Sequence, residues 1–299
     1  MNSHAQRGRL QVEAAGGTVA GRYALPAAGA LESDSMPTVV AVHGACHTSE
    51  YFDLTPRTSL LSVGSALGFP VIAVDRPAYG SATTLQTDDL GSIAGWLAAV
   101  VPAVCRHLGL GEPPVVVVGH SSGAAIALEL AARDEAAFVL AGVSLVGIGP
   151  RPSEFVFKVE ASLPAEGMVD PPPEQGLRHA MYAAPTTYDD AVPALAAKAM
   201  VPGPASELRQ VNHFSSRLKE ILGSLTLPVQ FVMPEFDGIW PYSPDHLQEL
   251  AANLSAAPRV DATMLPAAGH AADHHFTGRA LHLRQLAFAA EAAITCKEG

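Results

Sequence analysis

Cysteine is scarce in this chain: Cys46, Cys105 and Cys296 are the only three in 299 residues, an odd set without metal-ligand spacing. Neither a disulfide framework nor a metal site is expected from them, and free thiols suit a reducing cytoplasm. Positive charge is also short. Lys and Arg number 18 against 29 Asp and Glu, a formal net charge of −11, which argues against nucleic acid and anionic membranes as partners. Met1 to Leu10 is polar and offers no signal peptide, and no uninterrupted run of about 18 apolar residues stands ready to span a bilayer. A small-molecule substrate is the partner that remains. What the chain does have is apolar mass: 48% hydrophobic against 16% charged residues allows a sizeable core and argues against disorder.

That mass is arranged as strands alternating with helices. Leu10 to Leu25, broken by Gly16-Gly17, reads as a β-hairpin. Buried strands are expected over Thr38–Val42, Pro70–Val74, Val115–Val118, Val139–Ile148, Pro228–Met233 and near Val260–Leu265. Helices are expected over about Thr58–Leu67, Asp88 or Asp89 to Leu108, Pro244–Leu254 and Phe276–Thr295. Such spacing implies an α/β fold with a mostly parallel sheet covered on both faces. The rhythm breaks at Arg151. From there to Leu225 prolines, aromatics and short helical pieces suggest an insertion, with 1–150 and 226–299 forming the core around it.

Chemistry concentrates at Gly119-His120-Ser121-Ser122-Gly123. Four valines precede it and a helix-forming run of alanine and leucine follows, so the turn between them is very tight. This fits the G-x-S-x-G nucleophile elbow, in which a strained serine exposes its hydroxyl at a helix N-terminus. Together with His43-Gly44, Asp75-Arg76-Pro77-Ala78-Tyr79-Gly80, Asp237 and Gly269-His270, the motif resembles the α/β-hydrolase superfamily over nearly the whole chain. His43-Gly44-Ala45-Cys46-His47 is also similar to a short segment of plant methylesterases and hydroxynitrile lyases.

The resemblance implies an eight-stranded α/β-hydrolase fold in which 151–225 is a helical lid over the catalytic end of the sheet. It implies a catalytic triad, in which Ser121 is the nucleophile, His270 the general base and Asp237 the acid that orients it. Glu235 is the alternative acid, and His274 and His275 are the neighbouring histidines. No carboxylate is available at Gly147-Ile148-Gly149-Pro150, where some members carry theirs. Asp75 is expected to bond backbone. The oxyanion hole is expected from the N–H groups of Ser122 and Ala45, with Cys46 as the alternative to Ala45. Trp240, Met233, Phe155 and Tyr188 are candidates for an apolar pocket wall. A metal is not expected, because Ala271 stands between His270 and His274 where a zincin carries its glutamate, and no cofactor is implied. The implied reaction is hydrolysis of an ester, thioester or amide. A lyase, cyclase or carbon–carbon bond-forming enzyme using the same residues as acid and base stays open.

Overall fold

A computed structural model of the chain describes residues 5–27, 36–82, 89–133 and 136–296. Its strands are β1 (Gln6–Ala14), β2 (Gly17–Leu25), β3 (Thr38–Val42), β4 (Val71–Val74), β5 (Val115–His120), β6 (Leu140–Val146), β7 (Met168–Val169), β8 (Gly203–Pro204), β9 (Val229–Pro234) and β10 (Val260–Leu265). Eight of them form one sheet in the order β1-β2-β4-β3-β5-β6-β9-β10. The β1–β2 hairpin pairs antiparallel and β2 joins β4 antiparallel; every other pairing is parallel. The mostly parallel eight-stranded sheet expected from the sequence is therefore present.

The unbroken valine run of β5 has a plain cause. Val115 and Val117 point into one core while Val116 and Val118 point into the other, and all four are buried. Burial of each such side chain contributes about 1.5–3 kcal/mol. The first core lies beneath α2 (Leu90–His107), α3 (Ser122–Ala131), α8 (Ser215–Ser224) and α9 (Pro244–Asn253); the second lies beneath α1 (Leu60–Ala66) and α10 (Gly278–Thr295). Side-chain caps start three of these helices: Ser59 accepts from the Ser62 N–H, Asp89 from those of Gly91 and Ser92, and Ser243 from that of His246. Asp88, the other candidate cap for α2, lies outside the described residues. By length and composition α2 is apolar enough to cross a membrane, which the sequence reading did not expect of any segment. Its Ile93, Leu97, Val100 and Val104 are packed in the sheet core, so it is the core helix of the fold.

After Ile148 the alternation stops. Residues 151–225 form α4 (Glu154–Glu160), the two-stranded β7–β8 ribbon, α5 (Glu174–Leu177), α6 (Val192–Ala199), α7 (Ala205–Asn212) and α8. Leu218, Ile221 and Leu222 of α8 belong to the main sheet core, whereas α4 buries only Val156.

Candidate active site

Ser121 sits between β5 and α3 with φ 54° and ψ −120°, a conformation L-residues rarely adopt. Two glycines make the turn possible. A Cβ on Gly119 would lie 2.5 Å from the Gly123 carbonyl oxygen, and one on Gly123 would lie 2.0 Å from that of Val42. The strained serine is thus held by close backbone packing, and its amide donates to the Val146 carbonyl at 2.9 Å.

His270 follows β10 and is buried. Its Nδ1 lies 3.0 Å and 2.9 Å from the two carboxylate oxygens of Asp237. A carboxylate can only accept, so the proton is on Nδ1 and Nε2 is the basic nitrogen. Asp237 Oδ1 also accepts from the amides of Ile239 at 2.8 Å and Trp240 at 2.9 Å, which fixes the carboxylate plane. Glu235, the alternative acid, faces elsewhere and accepts from the Ala267 amide at 2.8 Å. Asp75 accepts from the Ser49 amide at 2.6 Å, a backbone role. His274 bonds Tyr182 and the Tyr51 carbonyl, and His275 bonds Thr187 and accepts from the Gly269 amide, so both brace the loop that carries His270. Among the described residues no cluster of His, Cys, Asp and Glu is arranged to hold a metal ion.

Ser121 and His270 line the same cavity, of about 250 Å³, together with Ala45, Cys46 and Ser122. No hydrogen bond joins the Ser121 hydroxyl to His270 among the described residues; catalytic hydrogen bonds of this kind often tighten only when substrate binds. A Cβ on Gly44 would lie 2.9 Å from the Ser121 Cβ, which puts the 43–47 loop directly against the serine. Burial pushes the Cys46 thiol up to about 12, so it is protonated and a poor nucleophile.

Of the four candidate wall residues, the structure brings Phe155 to the cavity and not the others. Met233, on β9, and Trp240, in the loop after it, are buried in the sheet core; a strand covered on both faces gives no sign of which side chains turn toward a ligand. Tyr188 packs on Tyr182 and His275, with ring centroids 5.0 Å and 5.5 Å away. The wall is instead made by Val156, Val159, Leu163, Leu177, Met181 and Ile239. The apolar side of α4 was the available signal. The cavity is also lined by two histidines the sequence did not single out, His47 on the 43–47 loop and His120 at the end of β5. His120 accompanies His270 at 4.9 Å between rings, and its Nε2 lies 2.9 Å from the His270 carbonyl oxygen. Burial, then the neighbouring His270, holds His120 well below its usual range, so it stays neutral beside His270.

Residues 39–282 match the model of the alpha/beta hydrolase family. No curated protein sequence matches the chain. Among solved structures, a thioesterase domain from the curacin biosynthetic pathway is similar at 18% identity and TM-score 0.61, covering 94% of this chain and 99% of that one. E-2-(acetamidomethylene)succinate hydrolase is similar at 19% identity and TM-score 0.63, covering 95% and 99%. A soluble variant of monoglyceride lipase from Saccharomyces cerevisiae reaches TM-score 0.69 at 12% identity, covering 95% and 94%. At such identities the likeness is one of fold.

Proposed function

Because this chain belongs to the alpha/beta hydrolase family, we propose that it hydrolyses an ester, thioester or amide of a small apolar metabolite through an acyl-enzyme on Ser121. The observation that carries this reading is the pairing of buried His270 with Asp237 on the wall of the cavity that a strained Ser121 also lines. A serine hydroxyl is too weakly acidic to attack unaided. His270 Nε2 takes its proton as the Oγ–carbonyl carbon bond forms, and Asp237 holds the imidazolium in the required orientation. The carbonyl oxygen gains negative charge and rests on the N–H groups of Ser122 and Ala45; one such donor contributes about 10²–10³ in rate. The tetrahedral intermediate collapses as His270 returns the proton to the leaving group. Water then repeats the sequence on the acyl-enzyme.

Residues 151–225 act in this reading as the lid that selects the acyl group, because Phe155, Val159, Leu163 and Leu177 supply much of the apolar wall. Anionic acyl groups are disfavoured there, since among the described residues no lysine or arginine lines the cavity to receive them and Asp170 does line it. The test is turnover of p-nitrophenyl esters of graded acyl length by wild type and Ser121→Ala. Wild-type turnover that vanishes in the variant supports the reading. Fluorophosphonate labelling of Ser121 with no turnover of any ester, thioester or amide would replace it by acid–base chemistry.

A further inference from the structure

Arg76, just after β4, carries its charge wholly into the interior and meets the equally buried Glu207 of α7 as a two-pronged fork. Nη1 donates to Oε2 at 2.7 Å and Nη2 to Oε1 at 2.9 Å, while the Tyr79 hydroxyl donates to Oε2 at 3.0 Å. Such a pair costs much desolvation and seldom adds stability over apolar side chains of similar size. Its other contact gives it a use. Nη2 also donates to the Gly44 carbonyl oxygen at 3.0 Å, and His43 Nδ1–H donates to that oxygen at 2.8 Å. The tautomer of His43 follows from the Arg76 amide, which donates to His43 Nε2 at 3.1 Å.

In a planar trans peptide the carbonyl and the following N–H point in opposite directions. Anchoring the Gly44 oxygen on the Arg76 side therefore turns the Ala45 N–H away from Arg76. Gly44 touches Ser121 and Ala45 lines the cavity, so that opposite side is the one on which an oxyanion would form. The same loop is tied to the 151–225 segment once more, through the Val201 amide, which donates to the Cys46 carbonyl at 3.1 Å.

We propose that the Arg76–Glu207 pair is a positioning device for the oxyanion site, fixing the Gly44–Ala45 peptide and making its orientation depend on the seating of α7. The inference rests on Ser121 being the nucleophile. Burial works against the arginine's charge, but Glu207 more than offsets it and holds Arg76 above its ordinary range, so the anchor stays ionised.

The test replaces both charges with apolar side chains, Arg76→Met with Glu207→Leu, which spares the fold an unpaired buried charge. With a p-nitrophenyl ester, kcat should fall about 10- to 100-fold while KM stays within about twofold, since an interaction made only in the transition state is lost. Affinity for a boronic acid that mimics the tetrahedral intermediate should fall in parallel. A folded double variant with wild-type kcat and boronate affinity would overturn the proposal. Should that variant not fold, Arg76→Lys decides, because an ammonium keeps the charge but cannot span Glu207 and the Gly44 carbonyl together; wild-type kcat there is likewise contrary. Ser121→Ala is assayed alongside. No Ser121-dependent turnover in the wild type overturns the functional reading itself, whereas equal Ser121-dependent turnover in wild type and double variant removes only the positioning role.

Discussion

The strand ends that hold Ser121, Asp237 and His270 and the apolar wall built from 151–225 face each other across one cavity, yet they are made differently. On the strand side backbone sets much of the geometry: glycines that tolerate no Cβ, a serine at positive φ, amides aimed at a carboxylate. On the other side position comes from side-chain packing on short helices, with α4 burying only Val156. Backbone-fixed geometry is stiff and shows as a local motif. Side-chain walls can change one residue at a time without disturbing the chemistry, which is where selectivity can vary.

Substitutions on the strand side should give the largest effects and leave the fold alone. Ser121→Ala should lower kcat on the order of 10⁶-fold, with a thermal midpoint close to wild type. Asp237→Asn should cost about 10⁴ by favouring the wrong imidazole tautomer. Glu235→Gln should cost far less, because Glu235 accepts from the Ala267 amide and faces away from His270. Steady-state kinetics on one ester with melting curves for all three would separate these outcomes, and equal losses for the two acids would break the assignment.

The wall should respond by selection. Phe155 reaches the cavity and is partly exposed, so Phe155→Ala should shift discrimination between long and short acyl groups by about 1–3 kcal/mol with a small change in melting. Tyr188 is buried against Tyr182 and His275 instead. Tyr188→Ala should therefore cost about 3–5 kcal/mol of stability and alter acyl preference little. Measuring kcat/KM across an ester series and a urea midpoint for each variant sharpens the contrast; the reverse pattern would erase it.

The smallest effect concerns acid. Burial lowers His47 to about 3 and His275 to about 4, so both are neutral when folded. In the unfolded chain each titrates near its ordinary value of about 6.5. Below that value the unfolded state binds more protons, so stability is lost progressively as pH falls from 6.5, until about 4 for His275 and about 3 for His47. Urea midpoints should drop between pH 7 and pH 4.5, and less steeply in His275→Gln.

The same division governs what was legible beforehand. The sheet could be read because β3 and β5 are buried on both faces and carry the unbroken apolar runs Val39–Val42 and Val115–Val118. Gly119 and Gly123 marked the elbow because nothing else fits there. His270 and Asp237 come from the family resemblance, and their hydrogen bond is not readable from spacing, since they lie 33 residues apart. Of the four wall candidates, the cavity lining takes Phe155. Met233 lies in a strand buried on both faces, where periodicity cannot tell core from cavity. The Arg76–Glu207 contact spans 131 residues and ends in a helix with no motif, so only the fold brings it into view.

The most direct test of the account is where an acyl or phosphonyl group lands. After a short pulse with a p-nitrophenyl ester or a fluorophosphonate, peptide mass spectrometry should find one adduct, on Ser121, absent from Ser121→Ala. An adduct on Cys46 instead, or steady ester turnover with no adduct on Ser121 under either reagent, would contradict it.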